Sequence, residues 1–188
     1  MIVWIVIGAA VLLLLYLIAV YNRLVRLRAL VREGWSGITV QLRRRADLVP
    51  NLVATVEGYA THEREVLEQV TAHRTDATSA KGVDATAKAD AQFSGMLGKL
   101  IAVAEAYPDL KADANFRQLQ TELSDIEEEL SGARRYYNAT VRDLNTGIQS
   151  FPNVLIAGPL GFREEESYAD DVAALQTAPQ VRFGADGH

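Results

Sequence analysis

Residues 2–20 read IVWIVIGAAVLLLLYLIAV, and thirteen of these nineteen are Ile, Leu or Val. No Asp, Glu, Lys, Arg or His occurs between Met1 and Asn22. At roughly −0.3 to −0.6 kcal/mol for each central Ile, Leu or Val, insertion into a bilayer is favoured by about 4–8 kcal/mol. About 20 residues at a rise of about 1.5 Å each match a hydrocarbon core of roughly 30 Å. Backbone groups in lipid need internal partners, so the segment is expected to be a helix. A cleaved signal peptide fits less well. No Lys or Arg precedes the run, the run is long for such a peptide, and no small-x-small site leads into a polar start. A buried soluble helix is normally shorter than this.

Outward from this segment the charge changes abruptly. Arg23, Arg26, Arg28 and Arg32 follow within three turns. Residues 1–50 carry a net charge of +5 and residues 51–188 a net charge of −10, giving the chain total of −5. Cationic flanks stay on the cytoplasmic side, which predicts a single-pass protein of the cell (inner) membrane with its C-terminal body in the cytoplasm. Tyr16 and Tyr21 suit the interface as amphipathic rings, and Tyr21, Arg23, Arg26 and Arg28 are the expected contacts with headgroups. The acidic body argues against nucleic acid as a partner, because phosphate binding needs cationic surface. The chain has no cysteine, which excludes disulfides, thiolate metal sites and cysteine nucleophiles.

Beyond residue 22 no stretch alternates with period two, and three stretches show helical spacing. In the first, Leu24, Leu27, Val31, Trp35, Ile38, Leu42, Ala46, Val49, Val53, Val56 and Ala60 recur every three or four residues. Pro50 lies within this stripe without shifting its phase, and residues 38–49 contain no Gly, Asn or Ser. The spacing predicts one helix from the membrane to about residue 78, kinked near Pro50. The rival is a hairpin with Asp47 as N-cap and Pro50 in the following first turn. Residues 75–86 are small and polar and form the expected loop. A second helix, weakened by Gly95 and Gly98, follows to about Ala106, and Pro108 ends it. The third is expected over about 112–149. Its stripe is Phe116, Leu119, Leu123, Ile126, Leu130, Ala133, Tyr137, Val141, Leu144 and Ile148, the seam of an antiparallel bundle.

Residues 151–162, FPNVLIAGPLGF, carry two Pro and two Gly yet are apolar. Their ordinary role is to fold back and cap the core, and the alternative is contact with lipid or a partner. The predicted class is therefore all-α, with a transmembrane helix that continues into an antiparallel bundle of three to four long helices. Residues 1–22 are the anchor, 23–163 the bundle and 164–188 an acidic, largely flexible tail, with a short helix around 164–176.

No catalytic constellation is visible, and the sequence points to no metal and no cofactor. His62-Glu63 opens like a metalloprotease motif, but Val66 stands where the second histidine belongs. Ser94–Lys99 lacks the glycine spacing of a phosphate loop. Arg43, Arg44 and Arg45 form the most informative cluster. On a straight helix Arg44 stands about 32 Å beyond Arg23, several times the Debye length of roughly 8 Å. Headgroups do not explain it. Pairing with Glu127, Glu128 and Glu129, in the same bundle or in a neighbouring copy, does, and a solvated face is the bland alternative. Trp35 is either core or an interface anchor.

Taken together, these residues resemble the LemA family of bacterial membrane proteins. The likeness lies in Tyr21-Asn22, Trp35-Ser36-x-Ile38-x-Val40-Gln41-Leu42-x-Arg44-Arg45-x-Asp47-Leu48-x-Pro50-Asn51-Leu52-Val53 and Gly58-Tyr59-Ala60-x-His62-Glu63. It continues at Tyr107-Pro108, Phe116-x2-Leu119-Gln120-x-Glu122-Leu123, Ala133-Arg134-Arg135-x-Tyr137-Asn138, Phe151-Pro152 and Gly161-Phe162. Thr39 and Glu129 depart from the usual pattern. The resemblance implies a single span, a helical bundle and no established enzymatic activity. A relative tied to magnetosome membranes, and relatives encoded beside a membrane metallopeptidase, imply membrane organisation and a membrane-protein partner. The expected function is a membrane-anchored helical scaffold that self-associates, with the lipid bilayer and a homo-oligomer as partners. The alternative is a ligand-binding or enzymatic bundle in which Gln41, Asp47, Asn51 and Asn138 converge.

Overall fold

The computed structural model describes residues 1–60 and 62–168. Among these residues there are five α-helices and no strand: α1 Ile2–Glu57, α2 Arg64–Ser79, α3 Val83–Glu105, α4 Pro108–Ala112 and α5 Ala114–Gln149, followed by a single 3-10 turn, Asn153–Leu155. The all-α class with a long apolar N-terminal helix and a helical body therefore holds. The first turns of α1 bury nothing against the rest of the protein. From Val20 onward the same helix buries Leu24, Val31, Ile38, Leu42, Val49, Leu52 and Val56. One uninterrupted helix thus serves as apolar rod and as bundle member.

Helix α1 runs through Pro50 and ends at Glu57, so the expected helix to residue 78 is broken, and the turn falls beyond Pro50. Proline removes the N–H that would bond the carbonyl four residues back. Here that carbonyl belongs to Ala46, and the Arg74 Nε–H of α2 donates to it at 2.6 Å. The orphan acceptor is satisfied from outside, and the helix has no need to stop there. Gly58, a weak helix former, opens the turn, and α2 folds back antiparallel to α1 with Arg74 beside Asp47. The expected loop at 75–86 shrinks to 80–82, because residues 75–79 complete α2 and Val83 starts α3. Asp113 caps α5, its Oδ1 accepting from the Phe116 N–H at 2.9 Å.

Helix α5 runs antiparallel to α1 along most of its length, from Phe116 down to Ile148. The bundle has two apolar cores in series. The distal one joins Val49, Leu52 and Val56 of α1 with Leu67 and Val70 of α2, Phe93, Leu97 and Leu100 of α3 and Phe116 and Leu123 of α5. The proximal one, nearer the apolar end of α1, joins Leu24, Val31 and Ile38 with Leu130, Tyr137, Val141 and Leu144. There α2 is absent, α3 contributes only its start through Val83 and Ala87, and the chain after α5 supplies further cover. It folds back through Ala157 and Phe162 and continues as an extended strap, 163–168, ending at buried Tyr168. No helix forms over 163–168. The rest of the expected tail, and of the short helix around 164–176, lies outside the described residues.

Candidate functional site

Between the two cores lies a layer of charge. On α1, Ile38, Leu42, Arg45, Val49, Leu52 and Val56 follow a four-three spacing, so Arg45 occupies a core position. Asp90 does the same on α3, between Thr86 and Phe93, and Arg134 on α5, between Leu130 and Tyr137. Packing the three stripes together brings these side chains into contact. Arg45 and Asp90 are each only 2% exposed.

Asp90 is the hub. Its Oδ1 accepts from Arg45 Nη2, its Oδ2 from Arg134 Nη2, and the Tyr168 hydroxyl donates to Oδ2 at 2.7 Å. Arg45 Nη1 also donates to Ser94 Oγ at 2.9 Å and to Glu127 Oε2 at 2.8 Å. Arg134 reaches Glu127 Oε1 at 3.5 Å. Phe93 lies 5.1 Å from the Arg45 guanidinium carbon and Tyr168 5.4 Å from that of Arg134, both within cation–π range. Charges taken out of water are tolerated only when they are matched this closely. Burial works most strongly against the Arg134 cation, but the Asp90 charge and hydrogen bond, Tyr168 and Glu127 together outweigh it and raise its pKa. Burial, and then the hydrogen bond donated to Asp90, push the Tyr168 hydroxyl well above its ordinary value.

The strap that brings Tyr168 here is itself held by side chains of α5. Asn138 Oδ1 accepts from the Tyr168 N–H at 2.8 Å, and its Nδ2 donates to the Tyr168 carbonyl at 3.1 Å. Asn145 bonds the main chain of Glu165 through the same pair of groups. The Tyr137 hydroxyl donates to the Glu166 carbonyl at 2.8 Å. Its pKa is raised to about 12, first by burial and then by the charges of Glu165 and Glu166.

The structure distributes the residues singled out in the sequence unevenly. Arg45 meets Glu127 inside the layer, and Arg44 meets Glu129 at 2.6 Å on the surface, both within one chain. Arg43 and Glu128 point outward and take part in no ion pair among the described residues. Trp35 is half-buried against Tyr137, with ring centroids 5.6 Å apart. Tyr21 stands edge-on to Phe162 at 5.7 Å, and the Arg28 guanidinium lies 4.8 Å from the same ring. Arg23 and Arg26 are exposed just past the apolar run. Gln41, Asp47, Asn51 and Asn138 do not converge. Gln41 accepts from Arg44, Asp47 neighbours Arg74, Asn51 lies in an outer groove with Asn115 and Gln118, and Asn138 clasps the strap.

Asp90, Ser94, Arg134 and Tyr168 escape a reading of the sequence alone. The signal for the two charges was their place on an otherwise apolar stripe. A groove of about 570 Å³ opens beside the layer, between α1, the end of α2 and the start of α3. Trp35, Arg43, Asp47, Arg74, Thr78 and Lys81 line it. Among the described residues no three His, Cys, Asp or Glu side chains are grouped to hold a metal ion.

The model of the LemA family matches residues 34–183. Magnetosome protein MamQ 2 of Paramagnetospirillum magneticum is 25% identical over 179 residues, covering 81% of this chain and 66% of that protein. Protein LemA of Metamycoplasma hominis is 30% identical over 132 residues, covering 69% of this chain and 60% of that protein. The MamQ of Magnetospirillum gryphiswaldense is 24% identical over 179 residues. The chain thus spans just under two thirds of the length of these relatives.

Proposed function

The chain belongs to the LemA family, and on that premise we propose that it is a membrane-anchored helical scaffold that self-associates and holds a membrane-protein partner at a fixed place on the bilayer. The observation that carries this reading is the continuity of α1 from its apolar end into the core of the body. The body is locked to that rod by the buried charge layer, so its orientation follows from that of the span. A protein built this way is suited to positioning. The names of its magnetosome relatives support a role in membrane organisation. Val40 and Tyr136 are large side chains left exposed on α1 and α5 away from the anchor, and they offer a face for a second copy.

Cross-linking of the full chain in lipid nanodiscs loaded at increasing copy number tests self-association. Oligomers that disappear in Val40→Glu/Tyr136→Glu support it. A chain that stays monomeric throughout overturns it. The body faces the cytoplasm on this reading, in accord with Arg23, Arg26, Arg28 and Arg32. Because the chain lacks cysteine, Ser79→Cys provides a single probe. Labelling by an impermeant maleimide only after lysis supports this orientation, and labelling of intact spheroplasts reverses it.

A second reading, a ligand-binding bundle, draws support from the groove beside Trp35, where Arg43, Arg74 and Lys81 face Asp47. Saturable binding of a small anion, lost in Arg43→Ala/Lys81→Ala with the fold intact, would favour it over the scaffold.

A further inference from the structure

The turn after α5 packs on the part of α1 that the sequence places in lipid. The Tyr16 hydroxyl donates to Asn153 Oδ1 at 3.0 Å. Ile156, Pro159 and Leu160 form a cleft with Leu17, Ile18 and Tyr21. Tyr16 lies seven residues before Arg23, the first charged residue, and so about 10 Å deeper along the helix. If residues 2–20 fill the hydrocarbon core, a turn bonded to Tyr16 lies below the surface of the same leaflet.

The composition and bonding of the turn suit that depth. Residues 151–162 contain no charged side chain, and Arg163 follows at once. Phe151 is 82% exposed, Leu155 67% and Val154 51%, while Ala157 and Phe162 on the other side are buried in the core. One face of the turn caps the bundle, and the opposite face is apolar and uncovered. Backbone N–H groups in lipid need partners. Those of Val154, Leu155, Ile156, Ala157, Leu160, Gly161 and Phe162 all bond carbonyls between Ser150 and Gly158. Asn153, the one polar side chain of the turn, is satisfied at both ends, since its Nδ2 also donates to the Gly147 carbonyl at 2.9 Å. Arg23 shares a groove with Ser150 and Asn153, the Arg28 guanidinium lies over the Phe162 ring, and Arg163 follows the turn at once, so cations stand on its body side.

We propose that residues 151–160 are a second membrane contact, a turn immersed beside the span with Phe151, Val154 and Leu155 against acyl chains. This rests on the reading of residues 2–20 as a span. The molecule then holds the bilayer at two points of one leaflet, which fixes how α1 is rotated about its axis.

The test uses the full cysteine-free chain reconstituted in vesicles of phosphatidylcholine and phosphatidylglycerol. Leu155→Cys, Leu13→Cys and Thr121→Cys each carry an environment-sensitive fluorophore. The expected result is quenching of site 155 by spin-labelled acyl chains, comparable with site 13 and several-fold above site 121, with little quenching by aqueous iodide. Iodide quenching of site 155 equal to that of site 121, with site 13 still quenched by lipid, leaves the span in place and overturns the immersed turn. Site 155 shielded from both quenchers points to a protein cover and also overturns it. Loss of lipid quenching at site 13 overturns the span itself.

Discussion

The distal and proximal halves of the bundle solve one packing problem in different ways. Both must cover the seam between α1 and α5. The distal half uses two further helices and an apolar core of Leu, Val and Phe. The proximal half uses an extended strap, which cannot bond its own main chain as a helix does. Asn138, Asn145 and Tyr137 supply those bonds, so side chains of α5 do the work of a neighbouring strand. The difference teaches that polar residues on a helix seam can signal a non-helical neighbour. The two long helices approach closely in the proximal half. A Cβ on Gly34 would come within 3.1 Å of the Tyr137 Cα, and one on Gly147 within 3.1 Å of Leu27.

The largest effect is expected where the halves meet. Asp90→Ala leaves buried Arg45 and half-buried Arg134 with only the more exposed Glu127 as a shared carboxylate, a loss of about 3 kcal/mol. Denaturant unfolding of the vesicle-free body in detergent reads it, and a change under about 1 kcal/mol would show that the layer is no clamp. Gly34→Ala forces backbone apart in the proximal half and should cost about 1–3 kcal/mol. Gly95→Ala in α3, where a Cβ meets nothing within 4 Å, should instead stabilise by about 0.5–1 kcal/mol. Equal effects at the two glycines would erase the contrast in packing. Asn138→Ala should cost about 1–3 kcal/mol by stranding buried main-chain groups of Tyr168, with faster amide exchange in 163–168 and little change in α2 or α3.

A milder effect belongs to alkaline solution. The Tyr137 pKa is raised from 10.0 to about 12 in the folded protein. A group shifted upward contributes stability that is fully present below its unfolded pKa and lost as the pH rises through the folded one. The hold on the strap should therefore weaken from about pH 10 to about pH 12. Tyr137→Phe should flatten that decline in amide protection at Glu166, and an unchanged profile would remove Tyr137 from the hold.

The apolar start of α1, its continuation as far as Val56 and all of α5 were legible because each carries a long apolar run or stripe. Helix α2 was not, since it buries only Leu67 and Val70 and its last residues look like a loop. The passage through Pro50 was legible in the unbroken phase of the stripe, but what satisfies the freed carbonyl was not. The group that rescues the Ala46 carbonyl stands 28 residues away on α2. Arg44 and Arg45 drew attention as a run of charge, whereas Asp90 stood alone among small residues. Its importance lies in a position shared with the apolar stripe, which reading by charge clusters passes over. The strap has no periodicity at all, because its partners are amides on another element.

Helix α1 has no break between Ile2 and Glu57. With residues 2–20 read as a span, the helix beyond Asn22 would reach about 52 Å from the bilayer at about 1.5 Å per residue. A lever of that reach amplifies small events in the membrane. Tilting the span by about 20°, an ordinary response to a thinner bilayer, would swing the far tip sideways by about 18 Å. On that reading, local membrane thickness would be converted into a displacement of the far tip.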